Sequence, residues 1–202
     1  MSDRDDNIDD LTAVTPAVIL AGGGARRMSG ADKGALLLGE RRLVDLVVER
    51  LAPQVGRIII SGGHDYGLGF DVVADRADGP VGPAAGLWAA AQWMNENIPE
   101  ARGFITAPVD GPFLPRDLVS RLCVSGSCAI AVDGNGDHPT FACWRIPQLL
   151  KVLARYAGEG AALHHIAREC SSTRVAFPHD HALMNINTSD DLKRAEAISG
   201  SV

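Results

Sequence analysis

Residues Leu20–Lys33 read LAGGGARRMSGADK. Three successive glycines, Gly22, Gly23 and Gly24, follow an apolar run, and Arg26, Arg27 and Lys33 come next. Glycines leave backbone N–H groups free to approach a phosphate or a base. Arginine adds a fork of donors and lysine a mobile point charge, which together offset the charge of a triphosphate. The matching chemistry is attack on a nucleotide. Negative charge builds on the oxygens around the attacked phosphorus and on the departing pyrophosphate, and fixed cations there lower the barrier. Lys33 comes late and is followed by Gly34 rather than Ser or Thr, which separates this loop from the phosphate loop of ATPases and GTPases. The spacing after the triple glycine also fails the dinucleotide pattern G-x-G-x-x-G. A plain glycine-rich turn flanked by surface cations fits the same composition.

A second group of residues complements the loop. Asp110 follows the run GFITAPV, where a strand-end carboxylate is a hard oxygen ligand suited to magnesium. A bound magnesium could bridge phosphate oxygens for in-line attack; an aspartate in the turn before Gly111-Pro112 is the plainer reading. Asp75 closes VVAD in the same way and fits a turn or cap equally well. Gly79-Pro80-Val81-Gly82-Pro83 leads into Ala84-Ala85-Gly86. Gly82 and Gly86 permit close approach of a base, and a structural helix start is equally compatible. Asn185 and Asn187 fall on one side of an expected strand, placed to complete metal coordination or to hold a phosphate, with turn chemistry as the alternative. His164 and His165, beside Leu163 and Ile166, read as a packed or solvated pair.

The elements that must position these groups alternate. Strands are expected at Ala17–Ala21, Arg57–Ser61, Phe70–Ala74, Gly103–Ala107, Cys128–Asp133, Thr140–Trp144, Thr173–Phe177 and Ala182–Ile186. Helices are expected at Arg42–Leu51, Ala84–Asn97, Pro115–Leu122, Ile146–Tyr156, Glu159–Glu169 and from Ser189 through Ile198. Such alternation predicts an α/β three-layer sandwich, its mostly parallel central sheet covered on both faces. Ligands bind such sheets beyond the carboxyl ends of the strands, so the glycine loop and Asp110 should meet there.

Composition bounds the rest. With 202 residues, 46% hydrophobic and 22% charged, the chain matches a globular domain with a sizeable core. Net charge is −6, and the five Asp and one Arg of residues 1–10 supply −4 of it. Long-range attraction to nucleic acid is not expected, while a local basic cluster still suits a small anion. Residues 1–15 read as a disordered acidic leader before one domain over 16–202. No apolar run approaches the roughly 20 residues of a membrane span, and no secretory signal is seen. Cys123, Cys128, Cys143 and Cys170 lack a C-x-x-C spacing and read as reduced, packed thiols of a cytoplasmic protein, ahead of zinc or disulfide readings.

Taken together, the motifs resemble the molybdenum cofactor guanylyltransferases, members of the Rossmann-like nucleotidyltransferases. The carriers are LAGGGARRMSGADK at 20–33, Asp75, GPAAG at 82–86, VDGPFLP at 109–115, DHP at 137–139 and NINT at 185–188, spanning residues 17 to about 198. Three positions depart from the family pattern: Ser29 for Gly, Ser61 for a commoner Asn, and Ala84 for Leu. The resemblance implies transfer of GMP from GTP to the terminal phosphate of molybdopterin carrying molybdenum, with release of pyrophosphate. It implies nucleotide contacts from Leu20, Ala21, Gly22, Gly23, Lys33, Ser61, Asp75, Gly82, Gly86 and Asp110. Arg27, Lys33 and Asp110 would be catalytic, with Asp110 on Mg2+, and His138, Asn185 and Asn187 would face the acceptor. Expected partners are the molybdopterin substrate, a molybdenum-inserting protein and molybdoenzyme chaperones, for a monomer or weak oligomer. The cytidylyltransferases of the same cofactor, sugar-phosphate nucleotidyltransferases and a non-catalytic GTP-binding chaperone are the competing readings.

Overall fold

The computed structural model describes residues 15–22, 32–124, 126–179 and 181–200. Among the described residues the strands are β1 (Pro16–Leu20), β2 (Leu37–Leu38), β3 (Arg41–Arg42), β4 (Arg57–Ser61), β5 (Asp71–Val73), β6 (Gly103–Pro108), β7 (Ala129–Asp133), β8 (Gly136–Arg145) and β9 (Thr173–Ala176). The helices are α1 (Leu43–Leu51), α2 (Ala85–Asn97), α3 (Leu118–Cys123), α4 (Ile146–Leu153), α5 (Leu163–Glu169) and α6 (Ser189–Ser199). Seven strands form one sheet in the order β5-β4-β1-β6-β8-β7-β9, and β2 pairs with β3 in a small antiparallel ribbon. Pairing is parallel throughout the large sheet except around β8, which runs antiparallel to both β6 and β7.

The central strands are continuous apolar runs because both of their faces are covered. Along β1, Ala17 and Ile19 join the core beneath α1 and α3, while Val18 joins the core beneath α2 and α4. In β4, Ile58 and Ile60 face the first core and Ile59 the second. Helix α1 buries Leu43, Val44, Val47 and Leu51, one stripe of a 3.6-residue repeat. It lacks a side-chain cap, but Arg42 grips Asp45 in its first turn through two 2.7 Å hydrogen bonds. The buried Gln54 carries this helix to the segment after Asp110: its amide donates to the Arg50 and Pro115 carbonyls and accepts from the Val119 N–H.

Several boundaries differ from the sequence expectation for identifiable reasons. Ala182–Ile186 is not a strand. Turns close from Ala182 N to His179 O and from Met184 N to His181 O, with His181 at φ +65°. Its apolar residues are buried all the same, Leu183 in the core beneath α1 and α3 and Ile186 in a small cluster with Leu38, Leu43 and Ala195. The helix expected from Glu159 begins only at Leu163, because residues 158–160 bond to the segment before Gly82. The helix expected from Pro115 begins at Leu118. Strand β8 starts at Gly136 rather than Thr140, and its pairing with β7 jumps from Ile130↔Ala142 to Ala131↔His138. Pro139 falls in that irregularity, where a missing N–H does no harm to a ladder.

Candidate active site

The last residues of three parallel strands, Leu20 of β1, Ser61 of β4 and Pro108 of β6, line one cavity of about 700 Å³. Gly22, Lys33, Asp75, Gly82, Gly86 and Asp110 line it as well. Residues as far apart as Leu20 and Asp110 thus converge at the carboxyl edge of the sheet, where such folds bind ligands.

Asp110 is carried there by β6. Its strand runs on past Pro108, with Val109 N–H donating to the Leu20 carbonyl at 3.1 Å, and its own carbonyl accepts from Ile186 N–H at 2.9 Å. Asp110 is 8% exposed as a residue and its carboxylate pairs with the 5% exposed Lys33 at 2.7 Å. Lys33 Nζ also donates to Asn187 Oδ1 at 2.7 Å. Asn187 is held in turn by the start of α6, where its N–H and that of Thr188 donate to Asp191 Oδ2. Thr188 Oγ1 accepts from Asp191 N–H to complete a capping box. Burial pushes the Asp191 carboxyl up, but donation from Thr188, Arg194 and Asn187 outweighs it and holds the carboxyl below its ordinary value.

On the opposite wall, Gly86 approaches Ser61 so closely that a Cβ there would sit 2.7 Å from Ser61 Oγ. Ser61 is buried, and its carbonyl accepts from Ala21 N–H at 2.8 Å. Asp75 stands at the rim, and desolvation raises its carboxyl above the usual value. The segment leading to Gly82 is tied to the segment leading to Leu163: Val81 N–H donates to Glu159 O and Gly158 N–H to Gly79 O, both at 2.9 Å, and Val81 and Gly160 form a parallel bridge.

Asn185 shares the cavity with Asn187 although no strand presents them; its Oδ1 is buried and has no hydrogen-bond partner among the described residues. Ala21 sits between two lining residues and bonds to β4 through its N–H. His138 is not among the lining residues, and its Nε2 lies 2.8 Å from Asp133 Oδ1. Gly23 and Arg27 lie outside the described residues. Thr140 and Leu163 also line the cavity. Nothing in their residue types marked them; the one available signal was Pro139, whose place inside a strand points to the irregularity that holds Thr140. The four cysteines are free thiols, and among the described residues no three His, Cys, Asp or Glu side chains are grouped to hold a metal. Among the described residues no helix is long and apolar enough to cross a membrane.

The MobA-like NTP transferase domain matches residues 17–175. A molybdenum cofactor guanylyltransferase of Cereibacter sphaeroides is 40% identical over 187 residues, covering 90% of this chain and 95% of the relative. The chain belongs to this nucleotidyltransferase family. A second molybdenum cofactor guanylyltransferase, from Rhodopseudomonas palustris, is 35% identical over 196 residues, covering 91% of this chain and 92% of the relative. Solved structures share the fold. Molybdopterin-guanine dinucleotide biosynthesis protein A of Archaeoglobus fulgidus superposes with a TM-score of 0.70 at 22% identity, over 93% of this chain and 100% of that one. The 2-C-methyl-D-erythritol 4-phosphate cytidylyltransferase of Thermus thermophilus gives 0.61 at 16% identity, over 91% and 98%. The α/β sandwich expected from the sequence is therefore the architecture of this MobA-like nucleotidyltransferase, and its activity is nucleotidyl transfer.

Proposed function

We propose that this chain transfers GMP from GTP to the terminal phosphate of molybdenum-bearing molybdopterin and releases pyrophosphate. The observation that carries the reading is the meeting of Lys33 and Asp110 in the cavity that also holds Gly22, Ser61, Gly82 and Gly86. The names of the relatives support guanine as the base and the molybdenum cofactor as the acceptor. In the transfer, an acceptor phosphate oxygen bonds to the α-phosphorus as the bond from that phosphorus to the β-phosphate bridging oxygen breaks. The electron pair leaves on pyrophosphate.

The donors present fit magnesium, which is held by one or two carboxylates with phosphates and water completing the shell. The Asp110 carboxylate and the unpartnered Asn185 Oδ1 are hard oxygens in the same cavity. When bound, the ion polarises the phosphoryl oxygens and offsets charge on the leaving group. Lys33 supplies a desolvated positive charge, and its two hydrogen bonds fix where that charge stands. Arg27 is assigned to the leaving phosphates. Gly82 and Gly86 leave room for the base or ribose against the backbone, and Asp75 accepts from the nucleoside at the rim. Asn185 and Asn187, with Thr140 and Leu163 beyond them, form the acceptor side. His138 is assigned there only through its motif. The molybdenum-inserting protein and the molybdoenzyme chaperones are the partner classes that this reaction calls for, in the cytoplasm.

The deciding experiment measures pyrophosphate release with GTP and with CTP, with and without molybdopterin, and with magnesium present or chelated. Acceptor-dependent release from GTP is the expected result. Preference for CTP would replace guanine by cytosine, stimulation by glucose 1-phosphate alone would point to sugar-phosphate transfer, and binding of GTP without release would leave a chaperone.

A further inference from the structure

Lys33 sits in a one-turn 3-10 helix, Lys33–Ala35, which leaves its main chain little intrinsic rigidity. What holds that turn comes from a distant loop. Asp32 caps it, its Oδ1 accepting from Gly34 N–H at 2.9 Å. The same Oδ1 accepts from the Tyr66 hydroxyl at 2.8 Å, and Oδ2 lies 3.0 Å from His64 Nε2. The Tyr66 ring packs so tightly on the turn that a Cβ on Gly34 would lie 2.6 Å from its Cζ. Tyr66 is itself fixed at φ +58°, a conformation that a bulky residue keeps only where its surroundings enforce it. Here the enforcement is visible. Arg42 Nη1 donates to the Tyr66 carbonyl at 2.8 Å, and the Asp65 carboxylate accepts from Gly67 and Gly69 N–H. The ring is buried in the core beneath α1 and α3. Tyr66 does not line the cavity, and its hydroxyl reaches the site through Asp32 and the turn.

We propose that Tyr66 is a positioning residue for nucleotidyl transfer: through Asp32 it fixes the Lys33 turn so that the ammonium stands at Asp110 and Asn187. This rests on the role given to Lys33 above. Burial, followed by the Asp32 carboxylate, raises the phenol above its ordinary value, so it stays a donor into alkaline solution. Because Tyr66 lies five residues after Ser61 in one loop, the element that ends at the nucleotide wall also anchors the cation.

The test is a double-mutant cycle on the full chain: wild type, Tyr66→Phe, Lys33→Ala and the combination. Tyr66→Phe keeps the ring and deletes only the donor. Removing a hydrogen bond to a charged group should lower kcat about tenfold with the acceptor KM unchanged. In the Lys33→Ala background the same change should cost less than about twofold, because nothing is left to position. An equal loss in both backgrounds, or no loss in the wild type, overturns the proposal. Affinity for GTP and for CTP, measured by calorimetry on the four proteins, provides a second reading that needs no acceptor. A wild type that uses CTP sinks the guanine assignment and leaves the cycle readable with CTP. If Tyr66→Phe fails to fold, Asp32→Ala enters the same cycle and must show the same dependence on Lys33.

Discussion

Lys33 Nζ lies 2.7 Å from Asp110 Oδ2 and 2.7 Å from Asn187 Oδ1, so one ammonium joins residues 77 and 154 positions away in the chain. Removing one partner of a buried pair leaves the other charge uncompensated, at about 3 kcal/mol. Asp110→Ala and Lys33→Met should each lower stability by about that amount, and the double variant should lose well under the sum. Urea denaturation measures this, and additive losses would show the pair to be uncoupled. Pyrophosphate release should fall steeply in all three while staying measurable.

Gly86 and Ser61 are complementary by size. In Gly86→Ala the new Cβ meets Ser61 Oγ at 2.7 Å, and overpacking of this kind costs about 1–3 kcal/mol. The nucleotide KM should rise about tenfold if roughly 1.4 kcal/mol of that cost falls on binding. Ser61→Ala in the same chain removes the clashing oxygen and should recover most of the loss, unless the serine hydroxyl itself binds nucleotide, in which case KM stays high.

Asn185 carries the opposite trade. Its buried Oδ1 has no partner among the described residues, and an unsatisfied acceptor costs about 1–3 kcal/mol. Asn185→Leu should therefore raise the thermal midpoint while lowering magnesium-dependent turnover at least tenfold, a stability cost borne for function. A variant as active as the wild type would remove Asn185 from the site.

How far this was legible follows the physics of each signal. Strands β1, β4 and β6 announce themselves as short apolar runs, and the polar or glycine-rich residues at their carboxyl ends are the ones that line the cavity. Ala182–Ile186 has the apolar content of a strand, but its apolar residues serve two different cores from an irregular backbone, and no period separates the two cases. The contribution of Tyr66 to the Lys33 turn was invisible, since a contact across 34 positions depends on how a loop packs. Thr140 was missed for the same reason, its place set by a register jump in β8.

Acid should report on the segment leading to Gly82. The Arg76 guanidinium and the Trp88 indole N–H hold the Asp78 carboxyl at about 2, below its ordinary 3.8. A depressed carboxyl contributes stability above the unfolded-state value and loses it as pH falls through the folded-state value. Trp88 fluorescence should therefore change between about pH 4 and pH 2, and Asp78→Asn should abolish that transition. An identical titration in the variant would assign it to another carboxyl.

The two main-chain bonds that join Val81 to Glu159 and Gly158 to Gly79 clamp the segment leading to Gly82 onto the segment leading to Leu163, so one edge of the cavity is set by backbone. That edge keeps its shape whatever side chains the two segments carry, because only peptide groups make the bonds. Amide exchange at Val81 and Gly158 should be slow in the empty protein and stay slow when it is filled.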